Sequence, residues 1–287
     1  MSNIKVLGID LAKNVFQVHG ADAKGKCVLR KRMSRAKLMA FVANSRPVII
    51  GIEACGGAHY WARYFKQYGH EVRMMSPQFV KPYVKSNKSD RNDSEAIAEA
   101  CTRPSMRFVP IKTTAQQDVL AVHRARELAI KNRTAQANQI RGFLSEYGVL
   151  IPPGLSKIRK LMEVIEMNND KLTPIIMNLM VHLYEQFNAN DARVKEYDKQ
   201  IIELAKQDVV CQEVQKMAGI GPIIASAIVA TIGDAKAFKN GREVSAWLGL
   251  TPRQYSSGEK IVLGGISKRG DRYMRKIMPW PAWSTAI

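Results

Sequence analysis

Over its first 105 residues the chain alternates short β-forming runs with helical stretches, in an order that few folds accept. Ile4–Ile9, Val15–His19 and Cys27–Lys31 have strand composition and are linked by short turns carrying Gly20 and Gly25. Links that short predict antiparallel neighbours. A helix near Ser34–Asn44, a strand over Val48–Glu53, a helix near Ala58–Tyr68 and a strand over Glu71–Ser76 follow. A last helix is expected to start near Asn92, which stands at capping-box spacing from Glu95. The order β-β-β-α-β-α-β-α predicts an α/β domain over residues 1–105, a mixed sheet covered by helices.

Two further regions differ in pattern. Residues 106–208 are expected to be helical. Ile176, Met180, Leu183, Phe187, Asn190, Val194, Tyr197, Ile201 and Leu204 alternate spacings of four and three. That is a heptad seam with one polar member, of the kind that fixes register and partner number. It suits either a coiled-coil arm that pairs subunits or one long helix packed on its own domain. A second helical stretch, Ala115–Tyr147, is more basic, and Pro152-Pro153-Gly154 separates the two. Residues 209–287 are expected to form a mainly helical third domain. It opens with MAGIGP, where Gly219 and Gly221 precede an apolar helix. Such a turn resembles a helix-hairpin-helix, whose amides meet a DNA phosphate, although a Gly-rich turn is often plain connection.

Charge narrows the function. The chain carries 44 Lys+Arg against 25 Asp+Glu, a formal net charge of +19. An excess that large is best tolerated where phosphates neutralise it, so a nucleic-acid partner is expected. The four cysteines, Cys27, Cys55, Cys101 and Cys211, form no C-x-x-C pair and no cluster with the histidines. That argues against a zinc site or a disulfide framework and for a cytoplasmic protein. No apolar run reaches the roughly 20 residues that a bilayer span needs. A basic membrane-surface protein is an alternative, but the positive charge is spread over the whole chain rather than gathered on one amphipathic helix, so no membrane partner is expected.

The acids point to chemistry. Asp10 ends the first strand in GIDLAKNVFQVHG, and Glu53 ends the fourth in VIIGIEACGG. If those strands are parallel neighbours, both carboxylates emerge at the sheet edge where open α/β sheets place their sites. Asp90 and Asp93 form D-x-x-D on one helix face, with Lys88 and Arg91 beside them suited to phosphate. Singly, each acid has a bland explanation: a strand-ending turn, a surface acid, a helix cap. Four acids converging in so basic a chain are better explained by Mg²⁺, with Mn²⁺ the alternative ion. Two such ions about 4 Å apart suit phosphodiester chemistry.

These segments carry a resemblance. GIDLAKNVFQVHG, IEACGGAHYWAR and KSDRNDSEAIAEA resemble the N-terminal domain of a DEDD insertion-sequence transposase family, whose members are described as bridge-RNA-guided recombinases and whose relatives include the Piv-type invertases. The stretch from GIGPIIASAIVATIG to ISKRGDRYMRK resembles that family's C-terminal transposase domain. The resemblance implies a RuvC-like, ribonuclease-H fold for the first domain, with Asp10, Glu53, Asp90 and Asp93 as its four acids. It implies a serine nucleophile in P-R-x-x-x-S-G, here Ser257, with Ser256 adjacent. It also implies dimers or tetramers formed through a helical arm, and a bacterial protein working at the nucleoid. Its partners would be donor DNA, target DNA and a structured noncoding guide RNA. A serine conserves phosphodiester energy as a phosphoserine, so strands rejoin without ATP. Arg253, Lys260, Lys268, Arg269 and Arg272 are the cations expected to steady the charge of that step. Family members continue in further helix after ISKRG. Here PWPAWSTAI follows, and Pro279 and Pro281 would break a helix, so the C-terminal domain is expected to be a shortened one.

Three other functions compete. A junction-resolving metal nuclease would need the acids but not Ser257. A non-catalytic DNA- or RNA-binding remnant would bind with steep salt dependence and cut nothing. A sugar-kinase-like ATPase also opens with G-I-D, but the basic charge and D-x-x-D argue against it.

Overall fold

The computed structural model describes residues 3–85, 90–258 and 260–278, without the side chains of residues 90, 91 and 237. The chain divides into two compact units, 1–113 and 114–287. Among the described residues no helix is long and apolar enough to cross a membrane.

The first unit is a five-stranded mixed sheet with strand order β3-β2-β1-β4-β5. In chain order its elements are β1 (Val6–Asp10), β2 (Val15–Ala21), β3 (Cys27–Ser34), α1 (Arg35–Ala43), β4 (Ile49–Glu53), α2 (Ala58–Gln67), β5 (Glu71–Met75), α3 (Pro77–Val80) and α4 (Asp90–Ala100). β1 pairs antiparallel with β2 and parallel with β4. The centre of the sheet is a near-continuous apolar run, as strands covered on both faces require. Leu7, Ile9, Phe16, Val18, Ile50 and Ile52 face one way, into a core with Leu38, Trp61 and Phe65 of α1 and α2. The alternate residues face α4.

α4 lies against the opposite face because two glycines leave room for it. A Cβ on Gly8 would stand 2.2 Å from the Ser94 carbonyl oxygen, and one on Gly51 would stand 2.8 Å from Cys101 Sγ. Arg30 of β3 grips Glu95 at 2.6 Å, and Arg73 of β5 donates to the Cys101 carbonyl at 2.8 Å. Arg30, His19, Gly8, Gly51 and Arg73 form one row across the strands, so α4 lies across that row. The helix already includes Asp90, which places Asn92 inside it and corrects the expected start at an Asn92 cap. Glu95 is turned to Arg30 rather than back to an N-cap.

The second unit contains α5 (Thr114–Ser145), α6 (Leu155–Ile158), α7 (Leu161–Met167), α8 (Pro174–Gln207), α9 (Val209–Gln215), α10 (Pro222–Ile232), α11 (Gly241–Trp247), β6 (Pro252–Ser257), β7 (Lys260–Ile266) and α12 (Arg272–Ile277). It is mainly helical, with β6 and β7 as a two-stranded sheet. The heptad positions Ile176, Met180, Leu183 and Phe187 of α8 pack with Ala137, Ile140 and Leu144 of α5. Asn190 donates to Gln136 at 2.8 Å, so the polar seam residue registers α8 against α5 of the same chain. From Ile176 to Asn190 the seam is therefore filled by α5 of the same chain.

Two buried polar centres tie this unit together. Asp191 meets Arg133 at 2.6 Å, Arg159 at 3.1 Å and Lys195 at 3.3 Å. Burial pushes its carboxyl up, but hydrogen bonds from these three cations outweigh that and hold it below the usual range. His123 is fully buried between α10 and α12. The Ser226 hydroxyl donates to the Ile223 carbonyl, so its oxygen accepts from His123 Nε2–H at 3.0 Å. His123 Nδ1 then accepts from the Tyr273 hydroxyl at 2.7 Å.

Burial, with Arg126 and Arg124 nearby, lowers the His123 pKa to about 4. Burial, with Lys112 and Arg63, lowers that of His59 in the first unit to about 4 as well. A depressed folded value means that the unfolded chain binds the proton first. The stabilisation is therefore complete above the unfolded value near 6.5 and is lost as pH falls towards about 4. For His123 the loss is roughly 3 kcal/mol. Asp191 does not act in this window, because its contribution fades only below the ordinary carboxylate range. Urea unfolding midpoints should fall between pH 7.5 and pH 5, and His123→Gln should flatten part of that dependence. Equal midpoints at both pH values would contradict the account.

Candidate active site and nucleic-acid surface

In the parallel β1–β4 pair Ile9 stands opposite Ile52. The next residues, Asp10 and Glu53, therefore close their strands side by side, about 5 Å apart by strand spacing. This is the C-terminal edge, where open α/β sheets bind ligands. Both side chains are half-buried and lie two residues beyond Gly8 and Gly51, so they share the α4 face. Cys55 senses them both. Its thiol is pushed up by burial first, then by the charges of Asp10 and Glu53. Two carboxylates thus meet at this edge, and their hard oxygens are donors of the kind that divalent ions such as Mg²⁺ prefer.

The other two acids lie on α4. Asp93 is half-buried near the start of the helix, one turn before Ile97, which packs over Gly51. Asp90 and Arg91 belong to α4, but their side chains lie outside the described residues, as does the whole of Lys88. Among the described residues, no three His, Cys, Asp or Glu side chains form a group that could hold a metal. The structure therefore brings Asp10 and Glu53 together as a pair, and Asp93 does not complete a three-ligand group with them.

Ser257 sits in the second unit, at the end of β6. β6 and β7 pair antiparallel with Ser257 opposite Lys260, Ser256 opposite Ile261 and Tyr255 opposite Val262. Cross-strand partners share a face. Ser257 therefore shares one face with Tyr255 and Lys260, and Arg253 joins them by alternation. Ser256 shares the other face with Ile261 and Leu263, and its Oγ accepts from Gln254 Nε2 at 2.8 Å. Gly258 follows Ser257 at φ +59, a conformation that favours glycine. Every residue of both strands is exposed. An isolated two-stranded ribbon is marginal in water.

The cations of ISKRG are held at the base of that ribbon. The Ser267 amide donates to the Thr251 carbonyl and the Lys268 amide to Gly249, each at 2.8 Å. Backbone meets backbone there: a Cβ on Gly270 would stand 2.2 Å from the Trp247 carbonyl oxygen. Lys268 is at φ 56, a strained conformation for a residue with a side chain. Asp271 caps α12, and Arg272 is its first residue. Arg253, Lys260, Lys268, Arg269 and Arg272 are all exposed. Upstream, α9, a turn with Gly219 at φ +82, and α10 capped by Gly221 follow one another.

Comparison with known proteins decides the family. A profile described as "Transposase", of the IS110 DEDD type, matches residues 7–149. A second, "Transposase IS116/IS110/IS902 family", matches residues 211–286. A probable family 20 transposase of Pseudomonas aeruginosa is 44% identical over 278 residues, covering 96% of this chain and 82% of its own. The chain belongs to the IS116/IS110/IS902 transposase family. The transposase of insertion sequence element IS1328 from Yersinia enterocolitica is 41% identical, covering 97% of this chain and 83% of its own. That of IS1111A from Coxiella burnetii is 43% identical, covering 97% and 77%.

In this transposase the first profile spans Asp10, Glu53, Asp90 and Asp93, and the second spans Ser257 with the five cations around it. Sequence reasoning missed the glycine cradle under α4. Its signal was present: Gly8-Ile9-Asp10 and Gly51-Ile52-Glu53 are the same glycine, isoleucine, acid ending, repeated on two strands. The small residue admits the helix, the isoleucine faces the core and the acid closes the strand.

Proposed function

We propose that this transposase cuts and exchanges DNA strands for an insertion sequence, with Asp10, Glu53, Asp90 and Asp93 holding Mg²⁺ or Mn²⁺ and Ser257 as nucleophile. The observation that carries the reading is the pairing of Asp10 with Glu53 at one sheet edge, in a chain of the DEDD transposase family. A divalent ion bound there supplies charge neutralisation at a phosphodiester. Ser257 Oγ attacks the phosphorus, an Oγ–P bond forms, and the P–O bond to the adjoining nucleoside breaks as that oxygen gains a proton. Reversal with a different strand end restores the serine and joins the DNA. Arg253, Lys260, Lys268, Arg269 and Arg272 steady the charge of the pentavalent state, and the Gly219–Gly221 turn meets a backbone phosphate. Lys88 and Arg91 serve the same purpose beside the acids. A structured noncoding RNA selects donor and target by base pairing.

The test is a strand-exchange assay with protein purified together with its RNA, on donor and target plasmids in Mg²⁺. Recombinant product should form and vanish after ribonuclease treatment, and the RNA should contain loops matching both DNAs. Undiminished product after complete RNA digestion would remove the guide from the account.

A further inference from the structure

We propose that Arg32, assisted by Lys13, binds a backbone phosphate of the DNA strand being cut and lays that strand across the sheet edge beside Asp10. This rests on the reading of that edge as the cutting site. The argument is one of register. Asp10 pairs with Gln17, and Gln17 pairs with Arg32. With Glu53 beside Asp10, these residues form one row, and residues of a row share a face. That face is the one α4 covers, because Arg30, two residues earlier on the same strand, reaches Glu95 of α4. Arg32 thus projects on the same side as the two acids. It stands two strands away, about 10 Å by strand spacing. At about 3.4 Å of axial rise per nucleotide, that is about three nucleotides along a strand.

The surroundings fit a polyanion. β3 is an outer strand of the sheet, and residues 24–37 hold seven cations and no acid. Among the described residues the Arg32 guanidinium makes no ion pair, whereas Arg30 is engaged with Glu95. Lys13 is exposed in the turn that follows Asp10, at the same edge. β3 runs parallel to β1, so Arg35, just past its C-terminal end, joins this rim, stacked 5.0 Å from the Tyr60 ring and 4.7 Å from that of Trp61. Edge strands often carry cations merely to discourage pairing with other sheets. Such charges need no register with a catalytic pair. Arg32 has that register, and Lys31, beside it, points to the other face.

The experiment compares Arg32→Ala, Arg32→Lys and Lys31→Ala in the full-length protein purified together with its RNA, using a DNA duplex carrying the cleavage site. Arg32→Ala should raise the half-saturating DNA concentration about tenfold and lower the log–log salt slope of binding by about one. Arg32→Lys should recover most of the loss, and Lys31→Ala should change little. Arg32→Ala that binds and cleaves like Lys31→Ala overturns the proposal. Asp10→Asn separates the two ideas: if it cuts normally, the cutting-site reading fails, whereas binding and its salt slope still report on Arg32.

Discussion

Replacing Asp10 with Asn, or Glu53 with Gln, is expected to slow DNA cleavage in Mg²⁺ by at least about a thousandfold. Each change removes one negative charge and keeps the side-chain shape. The two carboxylates end neighbouring parallel strands and both act on Cys55. Like charges on neighbouring strand ends repel, so the neutral variants should fold about as well as the parent. The double variant should be little worse than either single one, because groups that hold one site act as a unit. Single-turnover cleavage of an end-labelled duplex, with thermal unfolding in parallel, measures both. Rates within tenfold of the parent would detach these residues from the chemistry.

The second large effect concerns the paired serines. Ser257→Ala should abolish joined product and any covalent protein–DNA adduct, whereas Ser256→Ala should retain both within about threefold. The ribbon separates them by face. Ser257 lies with Lys260 and Tyr255, and Ser256 lies with Ile261 and accepts from Gln254. Denaturing gels of labelled DNA after a short reaction would read the adduct. Loss with Ser256→Ala alone would reverse the assignment. If neither change matters while the acid variants are dead, water is the nucleophile and the protein resembles a junction-resolving nuclease.

Much of the first unit was legible because its signals are local. The short turn with Gly25 announced the β2–β3 pair, whereas Gly20 lies within β2 and the β1–β2 turn carries no glycine; the acids at strand ends announced an edge. Parallel pairing of β1 with β4 brings residues 43 positions apart together, and only the crossover order suggested it. The start of α4 was misplaced because Asn92 and Glu95 have cap spacing, yet Glu95 is drawn to Arg30 from a distant strand. The seam of α8 was plain in its spacing, but spacing does not say whose side chains fill it. α5 hides its part behind small residues such as Ala137. The β6–β7 ribbon left little trace, since both its faces are exposed and its sequence lacks the alternation that a buried face imposes. Arg32 became visible only through register, which ties it to Asp10 through Gln17.

Mn²⁺ binding in the presence of an uncleavable DNA duplex, followed by electron paramagnetic resonance, probes the acid pair without relying on turnover. The parent should take up Mn²⁺ tightly, and Asp10→Asn and Glu53→Gln should each weaken that uptake at least tenfold while still binding the DNA. Equal Mn²⁺ affinity in the parent and both variants would mean that the carboxylates at this sheet edge do not hold the ion.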